Sequence, residues 1–327
     1  MINMKVSIII PFYNASRYIQ RVVECLQNQK YKDFEAILID DGSTDDSLEI
    51  CQKCILGDLR LILLSQPNRG VSEARNAGLR IAKGHYICFV DVDDVFNEFY
   101  IEDLMNNAQN GDLILQGRVQ SSQDKETIIS IPHEGIYDLR KDPESFFRSI
   151  DIEKYGAPYC KLFSNEIIQG NKIFFSTAIL LAEDFDFLIR YLGFCNLVVL
   201  DNKANYSYWE NEGSLSTKSY PFDIEYSGLK QIDDSLCKLV KRYNAPSLQP
   251  LYGKSIAYHV RRAIWGNYRG LTTRRVRIEN LKNLEREYGF IYQKYSISET
   301  SFLKFVKFLF CNKQFILMDF VLSRVAK

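Results

Sequence analysis

Residues 91–94 read Asp-Val-Asp-Asp and follow directly on an apolar, β-prone run, Tyr86-Ile87-Cys88-Phe89-Val90. Three acids this close repel one another and raise one another's pKa, so either water on a solvated turn or a bound cation has to offset the crowding. Side chains alternate along an extended strand end, which predicts Asp91 and Asp93 on one side and Asp94 beginning the turn away. Two carboxylates on one side suit a hard divalent ion, Mg²⁺ or Mn²⁺, which takes oxygen ligands, keeps several waters and is completed by substrate phosphates. The same residues also suit an acidic surface turn that caps the next helix.

Two other stretches carry groups of this kind. Asp40 and Asp41 end the apolar run Phe34–Ile39 and precede Gly42-Ser43-Thr44. A carboxylate there accepts hydrogen bonds from a base N–H or ribose hydroxyls, or else serves Asp-Gly turn chemistry, with Ser43 and Thr44 as helix caps. Asn68, Arg69 and Gly70 make a turn into a helix whose first turns hold Arg75 and Asn76. A cation and an amide at that place face an anionic ligand, or Arg75 pairs with a structural carboxylate near Glu73.

Other chemistries lack their residues. No Gly-x-Gly-x-x-Gly and no Gly-x-x-x-x-Gly-Lys-Ser/Thr occurs, which argues against a dinucleotide fold of the usual type and against a P-loop. His85, His133 and His259 are scattered, so neither a histidine metal cluster nor a Ser-His-Asp triad is signalled. Cys51 and Cys54 form one Cys-x-x-Cys without a second pair, which leaves the eight cysteines as free thiols of a cytosolic chain.

The elements that must position these residues follow from periodicity. Strand patterns occur at 5–10, 34–40, 60–64, 85–90 and 112–117, and helical patterns at 16–29, 44–56, 71–84 and 97–110. This β-α-β-α order predicts an α/β domain whose sheet is mostly parallel, with helices on both faces. Ligands bind beyond the carboxyl ends of such strands. The polar stretches Pro11–Asn14, Asp40–Asp46 and Asp91–Asp94 all stand there. Residues 120–217 are less regular: a hairpin-like stretch at 126–139, a helix at 182–193 and short strands at 196–201 and 205–209.

From Lys218 the pattern turns mainly helical and basic, with 20 Lys and Arg against 9 Asp and Glu. The formal net charge of zero therefore hides an acidic front and a basic back, and the expected domains are 1–217 and 218–327. A hydrophobic share of 46% and a charged share of 25% are those of a soluble globular protein. No apolar run of about 18 residues appears, and the first residues lack a signal-peptide layout, so a cytoplasmic location is expected. The basic, aromatic stretches of 241–246, 259–277 and 301–327 suit the anionic inner face of a membrane, or an ordinary helical bundle. Nucleic acid is not an expected partner.

Taken together and in order, Ser7–Ile19, Asp33–Ser47, Asn68–Leu79 and Ala82–Asp94 closely resemble the family 2 glycosyltransferases with the GT-A fold. The resemblance covers roughly the first 100 residues strongly and fades beyond 217. It implies a Rossmann-like nucleotide-sugar-binding mixed sheet followed by a mainly helical C-terminal region. It further implies a nucleotide-sugar donor, a UDP-sugar by preference, and a glycan or polyprenyl-diphosphate-linked acceptor in surface polysaccharide synthesis. Pro11, Tyr13, Asn14, Asp40 and Asp41 would hold the nucleoside. Asn68 and Arg75 would join them at the donor. Asp91 and Asp93 would bind Mn²⁺ or Mg²⁺ and the diphosphate, with Asp93 the direct ligand.

The family's Glu-Asp pair is matched by Glu183 and Asp184, with Asp184 as catalytic base of an inverting transfer. On a helix Asp186 points elsewhere, which favours Asp184. Lys161 matches the Lys-Leu segment upstream and becomes a donor-site candidate. The chain departs from the family where Trp209 replaces a common Arg before a Ser-containing loop. Trp209 then either stacks on an acceptor sugar or fills an interface. Two other readings have less support. A nucleotidyltransferase would carry a glycine-rich loop after the first strand, and a non-catalytic nucleotide-sugar-binding protein would have no use for Asp91, Asp93 and Asp184.

Overall fold

A computed structural model describes residues 5–121, 125–209, 220–297 and 300–325. The chain divides into two compact units, residues 1–177 with 183–212 and residues 178–182 with 213–327.

The first unit begins with β1 (Val6–Phe12), α1 (Ser16–Gln27), β2 (Phe34–Asp40), α2 (Ser47–Cys54), β3 (Leu61–Ser65), α3 (Val71–Ile81) and β4 (Tyr86–Phe89). It continues through β5 (Val95–Phe96), α4 (Tyr100–Asn106), β6 (Leu113–Gln116), β7 (Arg118–Ser121), β8 (Glu126–Ile129), β9 (Gly135–Asp138) and α5 (Pro143–Ser149). It ends with β10 (Lys161–Ser164), α6 (Asn165–Gly170), α7 (Glu183–Leu192), β11 (Leu197–Asp201) and β12 (Tyr206–Trp209). An eight-stranded sheet runs β3-β2-β1-β4-β10-β6-β11-β9. β3, β2, β1 and β4 are parallel, β10 is antiparallel to both of its neighbours, and β9 closes the far edge antiparallel to β11. The fold is thus a mixed α/β sheet.

β1 and β2 are buried along their whole length, the mark of strands covered on both faces. Val6, Ile8, Ile10 and Phe12 share a core with Ile19, Val22, Val23 and Leu26 of α1, whose spacing puts all four on one helical face. On the opposite side of the strand, Ile9 meets α3 so closely that a Cβ on Gly78 would lie 2.7 Å from its Cγ2. Glycine at that point lets the helix that carries Arg75 lie down on the sheet.

A second sheet runs β5-β12-β7-β8. It overturns the hairpin expected over 126–139. β8 pairs with β7 in this small sheet, whereas β9 pairs with β11 in the large one. Ile131 buries its side chain and donates its N–H to Asn202 Oδ1 at 3.2 Å. Pro132 follows with no N–H to offer a ladder, so pairing breaks off where a hairpin would continue.

The second unit is helical: α8 (Phe222–Tyr243), α9 (Leu248–Gly266), α10 (Arg274–Tyr295), α11 (Ser301–Cys311) and α12 (Phe315–Val325). α9 packs against both α8 and α10. Asn244 ends α8 in the left-handed conformation, at φ 46. Thr273 and Thr300 cap α10 and α11 through their side-chain oxygens. Among the described residues no helix is long and apolar enough to cross a membrane.

Candidate active site

The carboxyl ends of β1, β2 and β4 lie side by side in the sheet, and the loops after them are knitted together by their own polar groups. Asn14, at φ 48, accepts the Thr44 N–H on its Oδ1 at 2.8 Å, and its own N–H reaches Ser43 Oγ at 3.0 Å. Ser43 and Thr44 are therefore ties between loops and not helix caps; Asp46 takes the cap position of α2. Asp40, buried, accepts from Ser43 N–H and from Ser65 Oγ, each at 2.9 Å. Asp41, also buried, accepts from the N–H groups of Arg69 at 2.9 Å and Gly70 at 2.8 Å, at the entrance to α3. Gly42 sits at φ +75, where a Cβ would fall 2.6 Å from the Asn68 backbone nitrogen. Only glycine tolerates that approach. Pro11 lies within β1, while Tyr13 stands 49% exposed on the loop beyond it and Asn68 is exposed as well.

The acidic stretch is a turn, not a strand end. β4 stops at Phe89, and the Asp94 N–H closes onto the Asp91 carbonyl at 3.2 Å, so the period-two alternation expected for Asp91 and Asp93 does not apply. Asp91 and Asp93 are half-buried, whereas Asp94 is fully buried. Burial first, then the charges of Asp91 and Asp93, push the Asp94 carboxyl up to about 8, against hydrogen bonds from Tyr206 and Trp209. One acid of the three has been turned inward, which relieves the crowding at the surface.

Arg75 joins the two halves of the site. Its guanidinium is 4% exposed and donates to Asp91 Oδ1 at 2.9 Å and to Asp184 Oδ1 at 2.6 Å. It also lies over the Phe175 ring, 5.2 Å from the centroid. Its Nε has no partner among the described residues. Burial works against the Arg75 charge, but Asp184, Asp91 and Glu183 hold its pKa above the ordinary value. Asp184 stands in the first turn of α7, and burial raises its carboxyl to about 7; Arg75 and Lys161 oppose the rise, while Glu183 and Asp91 add to it. Asp186, two residues on, is fully buried and paired with Arg190. Glu73, the neighbourhood first considered for Arg75, pairs with Arg80 instead. Asn76 faces no ligand: its amide closes both ways on the Phe175 backbone, each bond 2.8 Å.

Lys161 is buried and donates to the carbonyls of Ala157 at 2.6 Å and Tyr159 at 3.2 Å. Burial pulls its ammonium down to about 7. Cys160 before it takes φ 55, a strained conformation for a buried thiol residue. Trp209 is 40% exposed and donates its N–H to Asp94 Oδ1 at 3.2 Å. The Ser-containing loop after it lies outside the described residues. Sequence reasoning missed Tyr206, whose hydroxyl meets both Asp94 and the Asp91 N–H. The third acid of the stretch was the available signal, since an inward carboxylate needs a buried donor.

A parallel β3-β2-β1-β4 half with acids at its strand tips, extended through β10 and β6, is the layout of the GT-A fold. Solved structures bear this out. Residues 1–349 of Staphylococcus aureus TarS, in complex with UDP-GlcNAc, superpose with a TM-score of 0.71 over 98% of this chain and 91% of that one, at 21% identity. The sequence profile of Glycosyl transferase family 2 matches residues 7–171, and the chain belongs to that family. Curated relatives include glycosyltransferase GlyG of Streptococcus pneumoniae, 43% identical over 108 residues, which are 33% of this chain and 36% of that protein. The chain thus spans little more than a third of that relative's length. The poly(ribitol-phosphate) beta-N-acetylglucosaminyltransferase TarP of S. aureus is 28% identical over 76% of this chain and 77% of its own length.

Proposed function

We propose that this protein is an inverting, metal-dependent glycosyltransferase that moves a sugar from a UDP-sugar to a glycan or lipid-linked acceptor in surface polysaccharide synthesis. The observation that carries the reading is the Arg75 bridge, one guanidinium bonded both to Asp91 of the acidic turn and to Asp184. It brings the group suited to take a proton next to the group suited to the donor diphosphate. The UDP donor rests on the TarS complex and on the activity in TarP's name.

The residues present fit a hard divalent ion. Among the described residues no cluster of three or more His, Cys, Asp or Glu is arranged to hold one. Two half-open carboxylates, Asp91 and Asp93, match the mode in which Mn²⁺ or Mg²⁺ takes one or two protein ligands and leaves the rest to phosphates. Bound there, the ion supplies neutralisation of the charge that develops on the leaving diphosphate.

The protein's own groups do the rest. Asp41 and Asp40 shape the nucleoside end, where their loops are fixed by Asn14 and by the Arg69 and Gly70 N–H groups, with Pro11 and Tyr13 beside the base. Lys161 holds the carbonyls of the 157–159 segment and so backs the donor site. Asp184, with a carboxyl near neutrality, accepts the proton of the acceptor hydroxyl as the new bond forms. Glu183 raises its basicity. Attack from the side opposite the departing diphosphate inverts the anomeric centre. Trp209, partly exposed, offers its ring to the acceptor.

The second unit suggests where such an acceptor is met. α11 exposes Phe305 and Phe308, and α12 exposes Ile316, Leu317, Phe320 and Val325. The cations on these helices and the turn between them are Lys304, Lys307, Lys313 and Arg324; the one acid, Asp319, is buried on Arg277. Apolar faces with cations and no exposed acid fit an anionic bilayer surface. The protein would then work in the cytoplasm at the inner face of the membrane, where a polyprenyl-linked acceptor is presented.

The test is Asp184→Asn. Transfer is expected to fall by roughly 10²–10⁴-fold, the range of a lost general base, with UDP affinity unchanged. Turnover close to wild type would place the base elsewhere.

A further inference from the structure

The turn that carries the candidate cation ligands is pinned from one side by a single phenol. Tyr206, in β12, is fully buried, and its hydroxyl donates to Asp94 Oδ2 at 2.6 Å while accepting the Asp91 N–H at 3.1 Å. The other oxygen of Asp94 accepts the Trp209 N–H at 3.2 Å, so both ends of that carboxyl face β12. The ring cannot swing away. It stacks on Tyr159 with centroids 5.0 Å apart, lies parallel to Phe96 and tilts against Tyr100. β12 is itself held on both sides, antiparallel to β5 and parallel to β7. Arg21 of α1 donates to the Asp93 carbonyl. The four-residue turn is therefore fixed at Asp91 N–H, Asp93 C=O and the Asp94 side chain. The carboxylates of Asp91 and Asp93 project from this frame half-exposed.

We propose that Tyr206 and Asp94 are positioning residues for a divalent cation: their hydrogen bond anchors the 91–94 turn to β12 and sets the Asp91 and Asp93 carboxylates in ligating register. The proposal rests on the reading that Asp91 and Asp93 hold such an ion. It assigns Asp94 a different duty from its neighbours, since neither of its oxygens is turned toward a ligand. Partners of this kind decide metal affinity because a ligand whose backbone wanders loses its preorganised geometry.

Tyr206→Phe removes one oxygen and keeps the ring in its stack. The experiment is a Mn²⁺ titration of the full-length protein in the presence of UDP, read by the paramagnetic signal of the bound ion, for wild type, Tyr206→Phe and Asp93→Asn. Wild type is expected to bind and Asp93→Asn to lose binding. Tyr206→Phe is expected to raise the Mn²⁺ Kd by roughly 10–100-fold, the range seen when a residue supporting a metal ligand is removed. An equal Kd in Tyr206→Phe, even with a lowered Tm, overturns the positioning role and leaves the cation reading intact. Failure of wild type to bind Mn²⁺ overturns both. Should Tyr206→Phe not fold, Asp94→Ala stands in, because it takes the acceptor away from both the phenol and the Trp209 N–H. It is expected to weaken Mn²⁺ by roughly 10–100-fold, and an unchanged Kd again overturns the role.

Discussion

Arg75 is where charge, burial and chemistry meet in one side chain. Its planar fork reaches Asp184 from Nη1 and Asp91 from Nη2, two separate nitrogens where a lysine has one. Arg75 is also among the influences that hold the Asp184 carboxyl down, against burial, Glu183 and Asp91. Weakening that contact sends the Asp184 pKa higher. A general base works only when deprotonated, so the acid limb of kcat/KM, which reports the free enzyme, moves to higher pH. For wild type that limb is expected near pH 7. In Arg75→Lys the limb should move upward, with kcat at the plateau reduced roughly 10²-fold by the misplaced carboxylate. A lowered Tm with an unmoved acid limb would leave Arg75 a merely structural ion pair.

At the scale of elements, legibility followed how local the signal was. β1 and β2 were readable because strands buried on both faces must be apolar throughout, and α1 because its stripe repeats at helical spacing. The 126–139 segment read as two strands, and it forms two. Which partner each takes is a long-range choice that period-two alternation does not encode. The same holds in the site. Asp91, Asp93 and Asp184 stood out through motif order, but the inward turn of Asp94 depends on Tyr206, 112 positions along the chain. A strand end and a turn show the same letters.

His259, on α9, carries an element-scale prediction. The ring is 4% exposed, and burial, then the neighbouring Arg262 charge, lower its pKa to about 4. The unfolded chain takes up a proton near pH 6.5, whereas the folded one does not. Stability is therefore lost as pH falls through the window between 6.5 and 4, and below it the loss is complete. Between pH 7 and pH 5 this amounts to about 2 kcal/mol, which His259→Phe should remove from the pH dependence of denaturant unfolding. By NMR, one imidazole of the three should stay neutral at pH 5 and vanish in the variant. An imidazole pattern in which all three titrate together would show that His259 is hydrated.

For the whole molecule, the zero net charge is the sum of an acidic sheet-bearing part and a basic helical part, and charge sorted this way along a chain has to face something. Within the second unit, α11 and α12 leave Phe305, Phe308, Ile316 and Phe320 in solvent, each at least 42% exposed. Hydration of those rings is unfavourable, and the surrounding cations would repel any equally basic partner. A second copy meeting the first through these faces would bring Lys304 and Arg324 against their own kind; an anionic bilayer takes the rings and the charges together. Full-length protein should therefore float with vesicles containing phosphatidylglycerol and remain unbound with phosphatidylcholine alone. Replacing Lys304, Lys307 and Arg324 by Gln removes about 1 kcal/mol per cation, so vesicle affinity should drop roughly a hundredfold. Replacing Phe305, Phe308 and Phe320 by Ser should abolish flotation with turnover on a soluble acceptor unchanged. If the protein instead sediments as a dimer that the serine variant breaks, and never floats, the faces pair with each other and the lipid surface is excluded.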